Sequence, residues 1–425
     1  MTTDRAAAPL DDFDSLGAAF PLGSAAALAD AKPLDAADPL AHHRDLFVRD
    51  ASVTAYLDGN SLGRPLMASV DRVTSFMTDQ WGGRLIRGWG EGWLELPQQI
   101  GDDLGRVALG AAAGQTTIGD STTVLLYKLA RAAIDVRPGR TEIVIDRDNF
   151  PTDRYVLEGI AAERGMTLRW IDAGEATVES VGAVLSPKTA LVVLSHVSYR
   201  SGYLSDIPAI TSLVQSSGAL VLWDLCHSAG VVPTELDAWG VDLAVGCTYK
   251  YLNGGPGSPA FAYVRSEHQE RMRQPIQGWL GSATPFEMGQ GYEPAPGIRG
   301  FLSGTPPVIG MLAMRDMIAA IDEAGLDAVR AKSEALTGYA IELVDSRLPA
   351  AVLASPRDAA RRGSHITIDD DRYRDIMPEL WRRGVIPDFR RPRGLRIGLS
   401  PLSTSFGELA AALGHLAQIL ATRPR

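Results

Sequence analysis

Short apolar runs alternate with helix-length amphipathic stretches through the middle of the chain. The runs lie at 142–146, 190–195, 219–224, 243–248 and 260–264. Continuous apolar runs of this length, separated by helix-sized segments, predict strands buried on both faces of a largely parallel sheet. They define a doubly wound α/β domain over 61–305, preceded by a further strand at 53–57. Beyond Pro306 and Pro307 the pattern changes. Helices are predicted over 308–321, 327–346, 373–383 and 406–422, with strands at 365–368, 385–389 and 395–399. This makes 306–425 a smaller α+β domain. Residues 1–60 open with an Ala-, Asp- and Pro-rich stretch and are expected to form an arm packed on the small domain and the active site. No repeat or low-complexity linker separates the domains, which predicts a tight interface and a small-molecule site between them.

Composition narrows the function. With 41 Lys plus Arg against 51 Asp plus Glu the net charge is −10, so no global field favours nucleic acid or an anionic membrane. The two cysteines, Cys226 and Cys247, exclude a disulfide framework and a Cys-rich metal site, and suggest a reducing, cytoplasmic setting. An apolar stretch at 17–29 follows Asp11, Asp12 and Asp14 rather than basic residues and is broken by Pro21, unlike a signal peptide. No segment offers the ~18 continuous apolar residues of a membrane helix.

Two generic motifs are discounted. Gly59-Asn60-Ser61-Leu62-Gly63 matches a serine-hydrolase elbow, but an elbow serine sits on a central strand and this one comes near the start of the chain. Gly255-Pro256-Gly257-Ser258-Pro259-Ala260 matches a dinucleotide fingerprint, yet it carries prolines and leads into a strand rather than a helix.

A third constellation is more specific. The run 219–224 ends in Asp224 with His227 close behind, and the run from Leu243 leads to Lys250. An acid and a lysine at the carboxyl ends of neighbouring parallel strands face one crevice. A buried lysine is costly unless neutralised or made covalent. The pair therefore suits pyridoxal phosphate, with Lys250 as the Schiff-base lysine and Asp224 holding the pyridine nitrogen protonated. Gly119-Asp120-Ser121-Thr122-Thr123 precedes a helical run, where free N–H groups and the helix dipole favour a phosphate. An N-cap from Asp120 or Ser121 would read the same way. Phe150 is placed to cover a ring face, and Asn253-Gly254-Gly255 makes a tight loop after the lysine.

These strings resemble the kynureninases. The resemblance rests on Asp58 to Gly63, Asp148 to Tyr155, Trp223 to Gly230, Cys247 to Gly257, Gln277-Gly278-Trp279, Gly304 to Pro307 and Gly394-Leu395-Arg396. It implies a fold-type-I pyridoxal-phosphate enzyme with a large, mostly parallel seven-stranded sheet, a homodimer whose sites lie at the subunit interface. The implied reaction is hydrolysis of L-kynurenine, or a ring-substituted relative, to an anthranilate and L-alanine. Lys250, Asp224, His227, Thr122, Thr123, Phe150, Asp153, Ser195, Tyr249, Trp279 and Thr305 would contact the cofactor, with Trp279 and Thr305 reaching in from the partner. Tyr249 is either a general acid or a phosphate ligand. Arg396 would clamp the substrate's α-carboxylate, with Asn60 and Ser61 nearby and Trp89, Leu280 and Ser282 at the aryl pocket. Where kynureninases usually read Gly-Trp-aromatic-Gly-His, this chain has Gly278-Trp279-Leu280-Gly281-Ser282, which points to an altered ring preference. Trp89 and Thr305 instead resemble the bacterial pattern associated with plain kynurenine. A desulfurase or aminotransferase is the competing reading within the cofactor class. A desulfurase, however, needs a thiol on a late mobile loop, and both cysteines sit beside the cofactor strands.

Overall fold

The computed structural model describes residues 31–172 and 174–423. The apolar stretch at 17–29 lies outside them. The first strand, β1 (Ala55–Tyr56), is only two residues long and pairs in parallel with β11 (Val385–Ile386). The run 53–57 thus joins the small domain rather than the large sheet.

Seven strands form the central sheet: β2 (Thr116–Gly119), β3 (Glu142–Asp146), β4 (Thr167–Ile171), β5 (Thr189–Ser195), β6 (Leu220–Asp224), β7 (Leu243–Gly246) and β8 (Ala260–Val264). Their order is β2-β8-β7-β6-β5-β3-β4, parallel except that β8 runs antiparallel to both its neighbours. The fold is therefore α/β with a mostly parallel sheet, as the runs predict. Two strands escaped the apolar pattern. β2 is short and half threonine, and β4 is an edge strand whose residues alternate with solvent. Successive residues of the central strands feed opposite cores: Val192 and Leu194 face one layer, Leu191 and Val193 the other. Helices Thr122–Asp135 and Pro151–Arg164 cover the second face, while Leu96–Leu104, Ile207–Ser216 and Met314–Ala324 cover the first.

A four-stranded antiparallel sheet, β12-β13-β10-β9, organises the second core from β9 (Val352–Leu353), β10 (His365–Asp369), β12 (Asp388–Arg390) and β13 (Gly394–Gly398). Helices Leu326–Arg347, Tyr373–Arg382 and Phe406–Ala421 cover it, and Leu34, Ala55 and Leu57 from the N-terminal segment join the same core. The changeover between cores falls inside Leu326–Arg347: Val329 belongs to the first, Ala335 onwards to the second. Val308–Leu312 and Met314–Ala324, which the sequence assigns to the small domain, pack on the large one. The proline pair at 306–307 marks a change of direction, not the transfer of apolar surface.

Lys332, on the long shared helix, is buried against Asp38, 2.7 Å away, with both side chains almost wholly out of water. Burial pushes the Lys332 ammonium below its ordinary value, with Asp38 opposing the shift. Asp38→Ala leaves a buried cation without its counter-charge, so we expect a loss of about 3–5 kcal/mol in urea unfolding. The paired apolar replacement Asp38→Leu with Lys332→Met should recover most of it.

Candidate active site

Ser195 ends β5 and Asp224 ends β6, paired in register at the carboxyl edge of the parallel sheet. β7 stops at Gly246, so Lys250 lies in the loop beyond its strand rather than on it. Gly246 closes the strand against Phe261 of β8, where a Cβ would meet the ring at 2.4 Å. Around this edge is a cavity of about 210 Å³ lined by Ser121, Thr122, Thr123, Phe150, Asp153, Asp224, His227, Tyr249 and Lys250, among others. Eight of the residues the sequence singles out, separated by as much as 128 positions in the chain, thus meet in one cavity.

Lys250 Nζ lies 3.1 Å from His227 Nε2 and 5.8 Å from the centre of the Phe150 ring. Desolvation, then the Lys250 charge, pushes the His227 imidazole well below its ordinary value, so it is neutral. Asp224 accepts from the Cys226 amide at 2.8 Å and from Ser195 Oγ at 3.4 Å. Ser195 does not line the cavity; it supports Asp224 from behind. Its hydroxyl also donates to Asn149, which in turn donates to Asp146 and accepts from the Phe150 amide. Asp153 is buried with one carboxylate oxygen unpartnered. Burial, then the nearby charge of Asp224, pushes its carboxyl well above the carboxylate range. Burial likewise pushes the Tyr249 hydroxyl above its usual value, keeping it protonated.

At the other end of the cavity, Ser121 is the N-cap of Thr122–Asp135, accepting from Val124. Asp120 adopts φ +48° and is held by Lys128 Nζ at 2.8 Å and by Ser303. An amine, a carboxylate, an aromatic face and a hydroxyl-rich helix N-terminus around one cavity fit pyridoxal phosphate. The unpartnered Asp153 oxygen is a further sign that the cavity is shaped for a polar occupant.

A second cluster surrounds Arg396, whose side chain is 1% exposed. Its guanidinium reaches Asp388 at 2.8 Å, Ser61 Oγ at 2.5 Å, the Tyr199 carbonyl at 2.8 Å and Asp58 at 3.7 Å. With its amide oriented to satisfy both neighbours, Asn60 accepts from Arg396 Nε and donates to Asp58. Burial, reinforced by the charge of Asp388, raises Asp58 to about 6 against the pull of Ser61 and Arg396. Ser61 is bound to Arg396 and Asp58, not to a histidine, which removes the basis of a hydrolase elbow. The turn carrying it folds onto the lysine loop: Gly63 N donates to the Tyr249 carbonyl, and a Cβ on Gly63 would meet the Lys250 carbonyl at 2.5 Å.

Trp279, Thr305 and Trp89 gather elsewhere. Trp279 Nε1 donates to Thr305 at 3.2 Å, its ring meets Trp89 edge-on at 5.6 Å, and none of the three lines the cavity of its own chain. Leu280 is fully buried and its amide donates to Ser303, so within one chain it is a packing residue rather than an aryl-pocket wall. Ser282 is half-buried beside Pro294. Sequence reasoning missed Asp388, Asn149 and Lys128. Asn149 lies inside a quoted string, while Asp388 is recognisable only once β12 and β13 pair and bring it opposite Arg396.

A family model for class-V aminotransferases (Aminotransferase class-V) matches residues 116–385. A protein named kynureninase from Burkholderia pseudomallei (strain 1106a) is 42% identical over 394 residues, 91% of this chain and 93% of that one. Another of that name from Pseudomonas fluorescens is 40% identical over 90% of this chain and 93% of its own. Among solved structures, a cysteine desulfurase from Thermococcus onnurineus NA1 superposes with a TM-score of 0.76 at 17% identity, covering 87% of this chain and 95% of that one. A cystine C–S lyase complex gives 0.74 at 18%, covering 88% and 99%. At such identities these structures share the fold alone.

Because burial and the Asp224 charge disfavour the ionised form of Asp153, Asp153→Asn should leave pyridoxal-phosphate affinity within about threefold. Asp224→Asn should weaken it about thirtyfold or more, the size of one charge-assisted hydrogen bond. Equilibrium dialysis with absorbance detection separates the two outcomes.

Proposed function

The chain belongs to the kynureninase family, within the class-V aminotransferases, and from that premise we propose that its cavity hydrolyses the Cβ–Cγ bond of L-kynurenine or a ring-substituted relative. The products are the corresponding anthranilate and L-alanine. The observation that carries this reading is the meeting of Lys250, Asp224 and the capped N-terminus of Thr122–Asp135 in one cavity, beside a buried arginine. The enzyme is a pyridoxal-phosphate-dependent hydrolase of carbon–carbon bonds. The desulfurase alternative is not favoured: both cysteines are buried in the floor of the site, Cys247 N donating to Cys226 Sγ, and neither lies late in the chain.

When bound, pyridoxal phosphate supplies an electron-poor ring that accepts the electron pair released at the substrate's α-carbon. Asp224 holds the ring nitrogen's proton, itself fixed by the Cys226 amide and Ser195. Thr122, Thr123 and the free N–H groups of the first helical turn receive the phosphate. Lys250 Nζ moves the α-proton, facing a neutral His227 that adds no competing charge. Tyr249, protonated at physiological pH, is the proton donor for the carbon that leaves as alanine. Arg396 receives the α-carboxylate, with Asn60 and Ser61 fixing its guanidinium.

A second copy supplies the remaining groups. Phe76, Trp93, Trp89, Trp279 and Phe286 form a continuous aromatic chain. The same segments expose Met77, Trp81, Leu85, Ile86 and Met288, with Ile86 77% and Met288 80% accessible. An apolar surface of this kind marks a protein interface. Its burial by a partner accounts for Trp279 and Thr305 standing apart from their own cavity: they serve the partner's. Among the described residues no helix is long and apolar enough to cross a membrane. With both thiols free, we assign the enzyme to the cytoplasm.

The holoenzyme should release fluorescent anthranilate and alanine from L-kynurenine or a member of a hydroxy- and methyl-kynurenine panel. Lys250→Ala should lower the rate about a thousandfold or more. No cleavage of any panel member would sink the assignment. Ile86→Glu places a charge in the proposed interface and should shift the protein to monomers in light scattering, with activity lost in parallel.

A further inference from the structure

Arg396 presents a difficulty that its role in binding does not explain. It is a buried cation, and five groups of its own chain already occupy it: Asp388, Asp58, Ser61, Asn60 and the Tyr199 carbonyl. An incoming carboxylate must share the guanidinium with the charge of Asp388, whose Oδ2 lies 2.8 Å from Nη2 as an ion pair. Ser61 and Asn60 are neutral, and the Tyr199 carbonyl belongs to a fixed backbone. Asp58 is the more distant of the two acids, at 3.7 Å. Asp388 is the acid in direct contact, and it has a second cation within reach: Arg390 Nε lies 2.5 Å from the same Oδ2 that Arg396 contacts. Arg390 also approaches Ser61 Oγ at 3.4 Å, so both guanidinium groups border one small space.

Pairing explains the arrangement. β12 and β13 run antiparallel, with Asp388 opposite Arg396 and Arg390 opposite Gly394. Residues 388 and 390 point to the same face of β12, two positions apart. The acid is thus built between two arginines, one on its own strand and one on the next.

We propose that Asp388 is an internal stand-in for the substrate's α-carboxylate, neutralising Arg396 in the free enzyme and transferring to Arg390 when substrate arrives. Asp388 is a positioning residue: it acts through Arg396 and touches no reacting atom. Its presence keeps the buried guanidinium compensated before binding, because an unpaired buried charge is strongly destabilising. The cost is competition with substrate, and Arg390 lessens it by offering the displaced carboxylate a partner. This rests on the reading above that Arg396 receives the substrate's carboxylate.

The test uses the holoenzyme and two unreactive-scale probes, L-alanine and ethylamine, the same amine frame with and without a carboxylate. Dissociation constants come from the change in cofactor absorbance. Asp388→Asn should tighten L-alanine about tenfold and leave ethylamine unchanged, since the substrate carboxylate then no longer competes with a second anion for the guanidinium. Arg390→Gln should weaken L-alanine about tenfold. In the double variant the Arg390 change should have no further effect, since Arg390 acts only through Asp388. Factors that instead multiply, returning the double variant to wild-type affinity, would reduce the effect to a general field and overturn the proposal. Weaker or unchanged L-alanine binding by Asp388→Asn would also overturn it, leaving Asp388 a mere brace for Arg396. If the amide variant does not fold, Asp388→Ser, which keeps an acceptor near Arg396, is measured in its place. Arg396→Gln separates the two layers of argument: if L-alanine keeps its advantage over ethylamine there, the clamp reading fails first, whatever Asp388 does.

Discussion

The burial of charge is the constraint on which this structure depends. Lys250 and Arg396 sit at the bottom of a fold whose neighbouring side chains are mostly out of water, where an uncompensated cation would cost several kcal/mol. The solutions differ. Lys250 faces a neutral imidazole and an aromatic face, with Asp224 and Asp153 across the cavity. Arg396 is wrapped in two acids, an amide, a hydroxyl and a carbonyl. The first arrangement leaves room for a cofactor. The second is complete without any ligand, and that completeness is what makes Asp388 a competitor.

Those two clusters come from different domains, and their distance from each other is set by the elements that join them. The Gly59 to Gly63 turn closes onto the Lys250 loop on one side and onto β13 on the other: a Cβ on Gly398 would stand 1.8 Å from Asn60 Oδ1. No side chain fits at either glycine, so the turn packs closely on the lysine loop and on β13, and the substrate-carboxylate corner is fixed relative to the lysine. The helix Leu326–Arg347 adds rigidity by contributing to both cores, and the Asp38–Lys332 pair fastens the N-terminal segment to it. A hinge is not to be expected at Pro306, because the helices that follow it belong to the large domain.

The shared fold and the separate chemistry are held by different parts of the chain. Two cysteine desulfurases superpose on most of it at 17% identity. What they share with this chain is the fold built on the sheet, whose strands need only apolar residues on both faces and therefore tolerate extensive substitution. The kynureninases share 40–42% of residues over about nine-tenths of the chain. Membership in that family, rather than the fold, is what carries the reaction.

Much of this was legible along the chain because its signals are local. Buried parallel strands announce themselves as unbroken apolar runs, and the lysine, acid and helix N-terminus each stand beside such a run at spacings a reader can measure. β2 and β4 lacked that signal: one is too short and polar, the other half-exposed. Other features are properties of two segments at once, and no single segment records them. Asp388 matters because β12 pairs with β13; Val308–Leu312 belongs to the large domain because its apolar face finds that core; Leu280 is buried because Ser303 lies over its amide. Trp89, Trp279 and Thr305 meet one another rather than their own cavity for the same reason. Sequence alone determined the fold class and singled out the residues that line the Lys250 cavity, since periodicity and side-chain type are written residue by residue. Only the tertiary structure decided how the charges are balanced, because an ion pair's energy depends on distance and burial, and neither exists until the chain has folded.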